Sequence, residues 1–155
     1  MFKSPPTLLF VCTGNTCRSP MAEVMAKSLF LELDIMATVH SAGINTDNGY
    51  PASSNAVIAM RRESLDLSFH KSQQLSYELL ERATLILTMT HGHLHAVKSA
   101  VPHAYAFTLG QYANHDIDIS DPYGGDLATY QRCAKQIKQL LELSVAYFKE
   151  DLWTI

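Results

Sequence analysis

The chain has 155 residues, 47% of them apolar and 17% charged, and its 12 basic and 15 acidic side chains leave a formal net charge of −3. That length and balance describe a single domain over residues 1–155 with a real core, and exclude a disordered chain. They also exclude a broadly basic nucleic-acid surface, and no apolar run approaches the ~18 residues that a membrane span needs.

The N-terminus carries Lys3 and the pair Pro5-Pro6 before a short apolar run, which is too short and too soon interrupted for a leader peptide. Cys12, Cys17 and Cys133 are an odd count without a disulfide framework and suit reduced thiols. The expected location is the cytoplasm.

Short apolar strands alternate with helical stretches, the pattern of an α/β domain with a parallel sheet. The first strand is expected over Leu8–Val11. A helix is expected from near Pro20, with Ser19 as its N-cap and Met21, Met25, Leu29 and Leu33 on its buried stripe. Ala37–Ser41 reads as the second strand, ended by Ala42-Gly43. A polar loop, Asn45–Tyr50, and a helix, Ser53–Arg62, follow.

Leu67–Leu75 is irregular, and Ser76 caps a short helix to about Ala83. Leu85–Leu87 is the third strand, Thr90–Ser99 a helix stopped by Pro102, and Ala104–Thr108 a weaker fourth strand. Gln111–Asp126 has the composition of a functional loop, with Asp116, Asp118, Asp121, Pro122 and Gly124-Gly125. One last helix carries Tyr130, Cys133, Ile137, Leu140, Leu141, Val145, Phe148 and Leu152 on a single stripe.

The first and third strands are the most apolar and so the most central, which puts the loop after strand one where such sheets bind ligands. That loop runs Cys12-Thr13-Gly14-Asn15-Thr16-Cys17-Arg18-Ser19-Pro20. A helix N-terminus holds anions through free N–H groups and its dipole. Gly14 is expected to allow the tight turn and Asn15 to tolerate a left-handed backbone. The amides of Thr13, Gly14, Asn15, Thr16, Cys17 and Arg18 can then form an anion nest, and the Arg18 fork matches two phosphoryl oxygens.

The same positive field is expected to favour a Cys12 thiolate, with the Ser19 hydroxyl bonded to the sulfur. Thiolate attack on phosphorus needs a proton for the departing atom, and Asp121-Pro122-Tyr123 on a glycine-hinged loop is the best donor. The same carboxylate can then activate water. The loop lacks the Gly-Lys-Ser/Thr of a nucleotide-binding P-loop, and the Cys12–Cys17 spacing is not that of a zinc knuckle.

Cys17 either packs or forms a disulfide with Cys12 on oxidation. Cys133 reads as core, and Asp116 and Asp118 as solvated. His91, His93 and His95 invite a metal reading because His91 and His95 share a helix face, but without a third ligand type no metal site is expected.

The Cys12–Pro20 stretch resembles the signature of the low-molecular-weight protein tyrosine phosphatase family, and Asp121-Pro122-Tyr123 resembles its general-acid motif. Ser41-Ala42-Gly43 and His70 before Gln74-Leu75 are similar to its recurring features, and the resemblance spans roughly residues 7 to 150. It implies a four-stranded parallel sheet with helices on both faces, a phosphate-binding loop after strand one, and no metal or organic cofactor. It implies Cys12 as nucleophile, Arg18 as phosphate clamp and Asp121 as acid and then base. Ser19 would stabilise the thiolate, and Asn15 would hold the loop, bonded to His70. Phosphorylated proteins would be the substrates of a monomer, with inorganic phosphate as product and inhibitor.

Within the family the chain looks most like the bacterial protein-arginine phosphatase branch. Thr16 stands where tyrosine-specific members have a bulkier Ile, Met89-Thr90-His91 replaces a Met-Asp beginning, and Asp121-Pro122-Tyr123-Gly124-Gly125 is close to that branch's Asp-Pro-aromatic-Gly-Gly. A short Thr16 leaves room for a planar guanidinium and offers a hydroxyl, and Tyr123 stands where that branch more often has Phe. The main expectation is therefore phosphoarginine hydrolysis, and the alternative is phosphotyrosine hydrolysis by the same machinery. A thiol-coupled arsenate reductase would need more cysteines near the cleft, and a phosphocarrier module would not need Arg18 and Asp121.

Overall fold

A computed structural model describes residues 4–155. Lys3, used in reading the N-terminus, lies outside the described residues. Strand β1 (Thr7–Cys12) lies inside a parallel sheet with β3 (Thr38–Gly43), β4 (Leu85–Thr88) and β5 (Ala106–Thr108), in the order β3-β1-β4-β5. Side chains alternate across a strand. Leu8 and Phe10 therefore enter one core and Leu9 and Val11 the other.

The first core is closed by α1 (Arg18–Glu32), α2 (Ser54–Arg62), the short α5 (Leu109–Tyr112), α6 (Leu127–Leu143) and α7 (Val145–Asp151), through residues such as Met21, Met60, Leu109, Ile137 and Phe148. The second is closed by α3 (Tyr77–Arg82) and α4 (His91–Ala100), through Leu80 and Val97. Helices thus cover both faces, as expected, and β1 is buried on both sides. No helix among the described residues is long and apolar enough to cross a membrane.

Four expectations change. Helix α1 starts two residues early, at Arg18, with Cys17 at its N-cap and no side-chain capping bond. Ser19 is buried in the first turn instead of capping it. Pro20 is tolerated there because first-turn amides have no intrahelical partner. The buried stripe of α1 also swings: Leu29 and Leu33 are only partly buried, and Phe30 takes the core place, edge-on to Phe148 with ring centroids 5.1 Å apart.

The single last helix is two. It breaks at Ser144, whose hydroxyl donates to the Leu140 carbonyl at 2.7 Å and competes with the helical ladder. Finally, two-residue strands β2 (Ile35–Met36) and β6 (Trp153–Thr154) pair antiparallel. Two residues carry no periodicity to read.

Because the chain moves from β1 to β3 on one side and then to β4 on the other, the loops after β1 and β4 open side by side at the strand C-termini. Cys12 ends β1 directly opposite Gly43. A Cβ on Gly43 would stand 2.6 Å from the Thr13 carbonyl oxygen and 3.0 Å from the Asn15 amide nitrogen. The Cys12–Arg18 loop lies on that bare backbone, which explains the glycine of Ser41-Ala42-Gly43. Gly43→Ala should destabilise the protein by about 1–3 kcal/mol, the usual cost of overpacking, in urea unfolding, and should lower turnover by displacing the loop. Unchanged stability would show that the loop has room to rise.

Candidate active site

The loop after β1 is held from outside by its carbonyls. Cys12, Thr13 and Thr16 accept from the amides of Ile44, Asn45 and Ser53 at 3.0, 3.0 and 2.9 Å, and Asn15 accepts from His70 Nε2–H at 2.7 Å. With its carbonyls turned to the surroundings, the loop leaves its amide edge to the interior, the arrangement an anion needs.

The left-handed residue is Asn15, at φ 56°, as expected, and Gly14 is not among the residues with a positive φ. Gly14 lines the cavity, where a Cβ would meet only Thr16 Oγ1, at 3.7 Å. Asn15 tolerates this backbone because its short amide bonds locally. Its Nδ2 donates to Ser19 Oγ (2.8 Å) and Ser41 Oγ (2.9 Å), and its Oδ1 accepts from the Gln73 amide (2.9 Å). Ser41 in turn donates to Glu23 at 2.5 Å. His70 therefore supports Asn15 through the backbone carbonyl and not through the side chain.

Cys12 Sγ lies 2.8 Å from Ser19 Oγ. The Asn15 amide donates to that same oxygen, which leaves the Ser19 proton for the sulfur. Burial pushes the Cys12 thiol above its ordinary pKa, while the Ser19 hydroxyl and amide, the Arg18 charge and the Asn15 amide pull it down. Burial is the largest influence, so the loop offsets part of the cost of a buried thiolate and does not by itself reverse it.

Arg18 is buried at the N-terminus of α1, 4% exposed, with Nη1 donating to the Ile119 carbonyl at 2.8 Å. Its Nη2 lies 3.5 Å from both Thr13 Oγ1 and Asp121 Oδ2. Asp121 is half exposed, and its other oxygen accepts from the Tyr123 amide at 3.1 Å. Gly124, at φ 80°, turns the chain back towards α6. A cavity of about 210 Å³ joins these groups, with Cys12, Arg18 and Asp121 around it. Thr13, Gly14, Thr16, Cys17 and the exposed Tyr123 complete its wall.

All three cysteines are free. Cys17 Sγ sits 3.3 Å from both Ser53 Oγ and Tyr130 OH. Cys133 is buried in α6, and burial raises its thiol to about 12.

The three histidines of α4 do not converge. His93 is buried, with Nε2 2.9 Å from Thr13 Oγ1 and Nδ1 3.1 Å from Thr90 Oγ1. Sequence reasoning missed this link to the loop. The available signal was a histidine three residues after a Thr N-cap, on the helix that follows a central strand. His91 pairs instead with Asp118 through Nδ1 (2.6 Å) and with Asp116 through Nε2 (2.8 Å). Both acids are exposed, as expected, yet engaged.

The model of the low molecular weight phosphotyrosine protein phosphatase family matches residues 7–152, and the chain belongs to that family. The chain is 36% identical over 148 residues to a protein-arginine-phosphatase of Bacillus subtilis, covering 93% of this chain and 97% of the relative. It is 38% identical over 133 residues to the low molecular weight protein-tyrosine-phosphatase Ptp of Acinetobacter johnsonii, covering 84% and 89%. Among solved structures it is similar to the arginine phosphatase YwlE in a variant where serine replaces a cysteine and the active-site serine is phosphorylated. That likeness has a TM-score of 0.89 at 35% identity and covers 94% of this chain and 97% of the other.

The bond to Asp118, with the charges of Asp118 and Asp116, raises the His91 pKa. The folded state therefore holds this proton more tightly than the unfolded chain, whose histidine titrates at about 6.5. The resulting stability is complete below that pH and is lost as pH rises through the folded pKa. The thermal midpoints of wild type and His91→Gln should differ most below the unfolded histidine's pKa of about 6.5 and converge at alkaline pH, once the folded pKa is passed. A pH-independent difference would rule the ion pair out as its source.

Proposed function

We propose that this protein phosphatase hydrolyses phosphoarginine in proteins, in the cytoplasm and as a monomer, through a phosphocysteine on Cys12. The observation that carries the reading is one cavity containing a buried sulfur, a buried guanidinium and a carboxyl group on a separate loop. Arg18 would take two phosphoryl oxygens with its fork, and the amides of Thr13, Gly14, Asn15, Thr16 and Cys17 the developing charge.

The Cys12 thiolate attacks phosphorus and the P–N bond breaks. Asp121 gives its proton to the departing guanidine nitrogen, without which that nitrogen is a very poor leaving group. Asp121 then takes a proton from the water that attacks the phosphocysteine. Cys12 leaves as the thiolate, which Ser19 stabilises, and inorganic phosphate is released and binds back as an inhibitor. Asn15 and His70 keep the loop in shape.

The guanidinium reading is supported by Thr16, whose short side chain lines the cavity, and by the similarity to proteins named arginine phosphatases. Tyr123 would form the outer wall along the substrate. Phosphotyrosine is the second reading, and relatives named for it are as similar in sequence.

Parallel hydrolysis of phosphoarginine and phosphotyrosine peptides decides between them. Phosphoarginine should have the higher kcat/KM, and Thr16→Ile should shift the ratio towards phosphotyrosine by about tenfold or more, the order that one apolar group discriminates. Equal or better wild-type turnover of phosphotyrosine would reject the proposal. Two thiols in one loop also support reversible inactivation by a Cys12–Cys17 disulfide. Mass spectrometry after mild peroxide should find that bond and its reversal by dithiothreitol; finding only over-oxidised Cys12 would eliminate it.

A further inference from the structure

We propose that His93 is a positioning residue, which holds the Thr13 hydroxyl and through it the outer nitrogen of Arg18 at the cavity wall. The Arg18 fork is unequally held. Nη1 has a short bond to the Ile119 carbonyl, whereas Nη2 has only two partners at 3.5 Å, Thr13 Oγ1 and Asp121 Oδ2. Asp121 sits on an exposed loop and has its own work as the proton donor. The steadier partner is Thr13, and its short bond is the one to His93 Nε2, at 2.9 Å.

His93 is itself clamped. Thr90, the N-cap of α4, accepts from the His93 amide at 3.2 Å and meets the ring Nδ1 at 3.1 Å with the same oxygen. Backbone and ring are thus tied to one hydroxyl, and the ring cannot swing away from Thr13 without also breaking its own bond to Thr90. Either neutral tautomer serves, because both neighbours are hydroxyls able to donate or accept.

The surroundings keep the ring neutral. Burial, and then the Arg18 charge, push His93 down to about 4, while Asp121 and Asp118 from the facing loop pull it up. A neutral ring can sit beside Arg18 without repelling it. The chain Thr90–His93–Thr13–Arg18 therefore couples the helix after β4 to the loop after β1, across the line where the two loops open side by side.

This inference rests on the phosphatase reading of the cavity but not on which phosphorylated residue it accepts. The probe is accordingly p-nitrophenyl phosphate. His93→Leu should lower kcat about tenfold, the order expected when a clamp loses alignment, with KM changing less than about threefold. His93→Gln, whose side-chain amide nitrogen reaches the position of Nε2, should recover most of that loss, which a merely structural role does not predict. Thr13→Val should reproduce the His93→Leu defect, and the double variant should be no worse than Thr13→Val alone.

Additive losses, a Gln variant as poor as Leu, or a fully active Thr13→Val would each overturn the role. If His93→Leu does not fold, His93→Asn, whose amide stops short of Thr13, takes its place. Cys12→Ser is the control: residual turnover there would remove the reading of the cavity itself and not the role of His93.

Discussion

The site depends on one residue in an unfavourable backbone conformation. Asn15 holds φ at 56°, which turns the chain from the end of β1 into the start of α1 within a few residues. A left-handed non-glycine residue is held only where its surroundings over-determine it. Here the side-chain amide bonds two serines and a backbone amide, and the carbonyl takes a histidine N–H. These partners come from α1, β3 and the segment before α3, so one neighbouring and two distant stretches of sequence hold one turn. Buried groups that are fully satisfied specify a single arrangement; partly satisfied, they would be a liability.

The turn also sets the chemistry. By donating to Ser19, Asn15 directs the serine proton to Cys12, so the residue that shapes the loop also tunes the sulfur. The carbonyls are drawn outward to neighbouring amides and the guanidinium of Arg18 is drawn inward. The result is a positive interior around a sulfur that burial alone would keep protonated. The adjacent histidines of α4 divide a second task. His91 is raised towards the charged form by two carboxylates of the acid-bearing loop, while burial keeps His93 neutral beside Arg18. One grips the loop that carries Asp121, and the other faces the loop that carries Cys12.

Much of this was readable from residue order. The strand before Cys12, the helix that follows the Cys12–Pro20 loop, the short helices after Ser53 and Ser76, and the acidic loop around Asp121 all follow from local spacing, since turns and apolar runs are decided within a few residues. Where the reading went astray, one particular side-chain contact decided, near in sequence or far. Ser19 was expected to cap α1 because Ser before Pro ordinarily does, but a bond to Cys12 and Asn15 outcompeted the cap. Leu29 looked like the core position, yet Phe30 faces Phe148, more than a hundred residues away. The last apolar stripe looked like one helix, and the helix instead breaks at Ser144, whose hydroxyl bonds back to the Leu140 carbonyl.

The sequence by itself determined the alternating α/β architecture and the family, and it singled out Cys12, Arg18 and Asp121, which line one cavity, because each rests on residue type and short spacing. Only the tertiary structure decided that the loop lies on Gly43, which partners hold Asn15 in its left-handed turn, and that His93 bonds the cavity-lining Thr13. Those facts depend on which strand neighbours which. The parallel order β3-β1-β4-β5 brings the ends of β1, β3 and β4 together, although 26 to 80 residues separate the contacting groups.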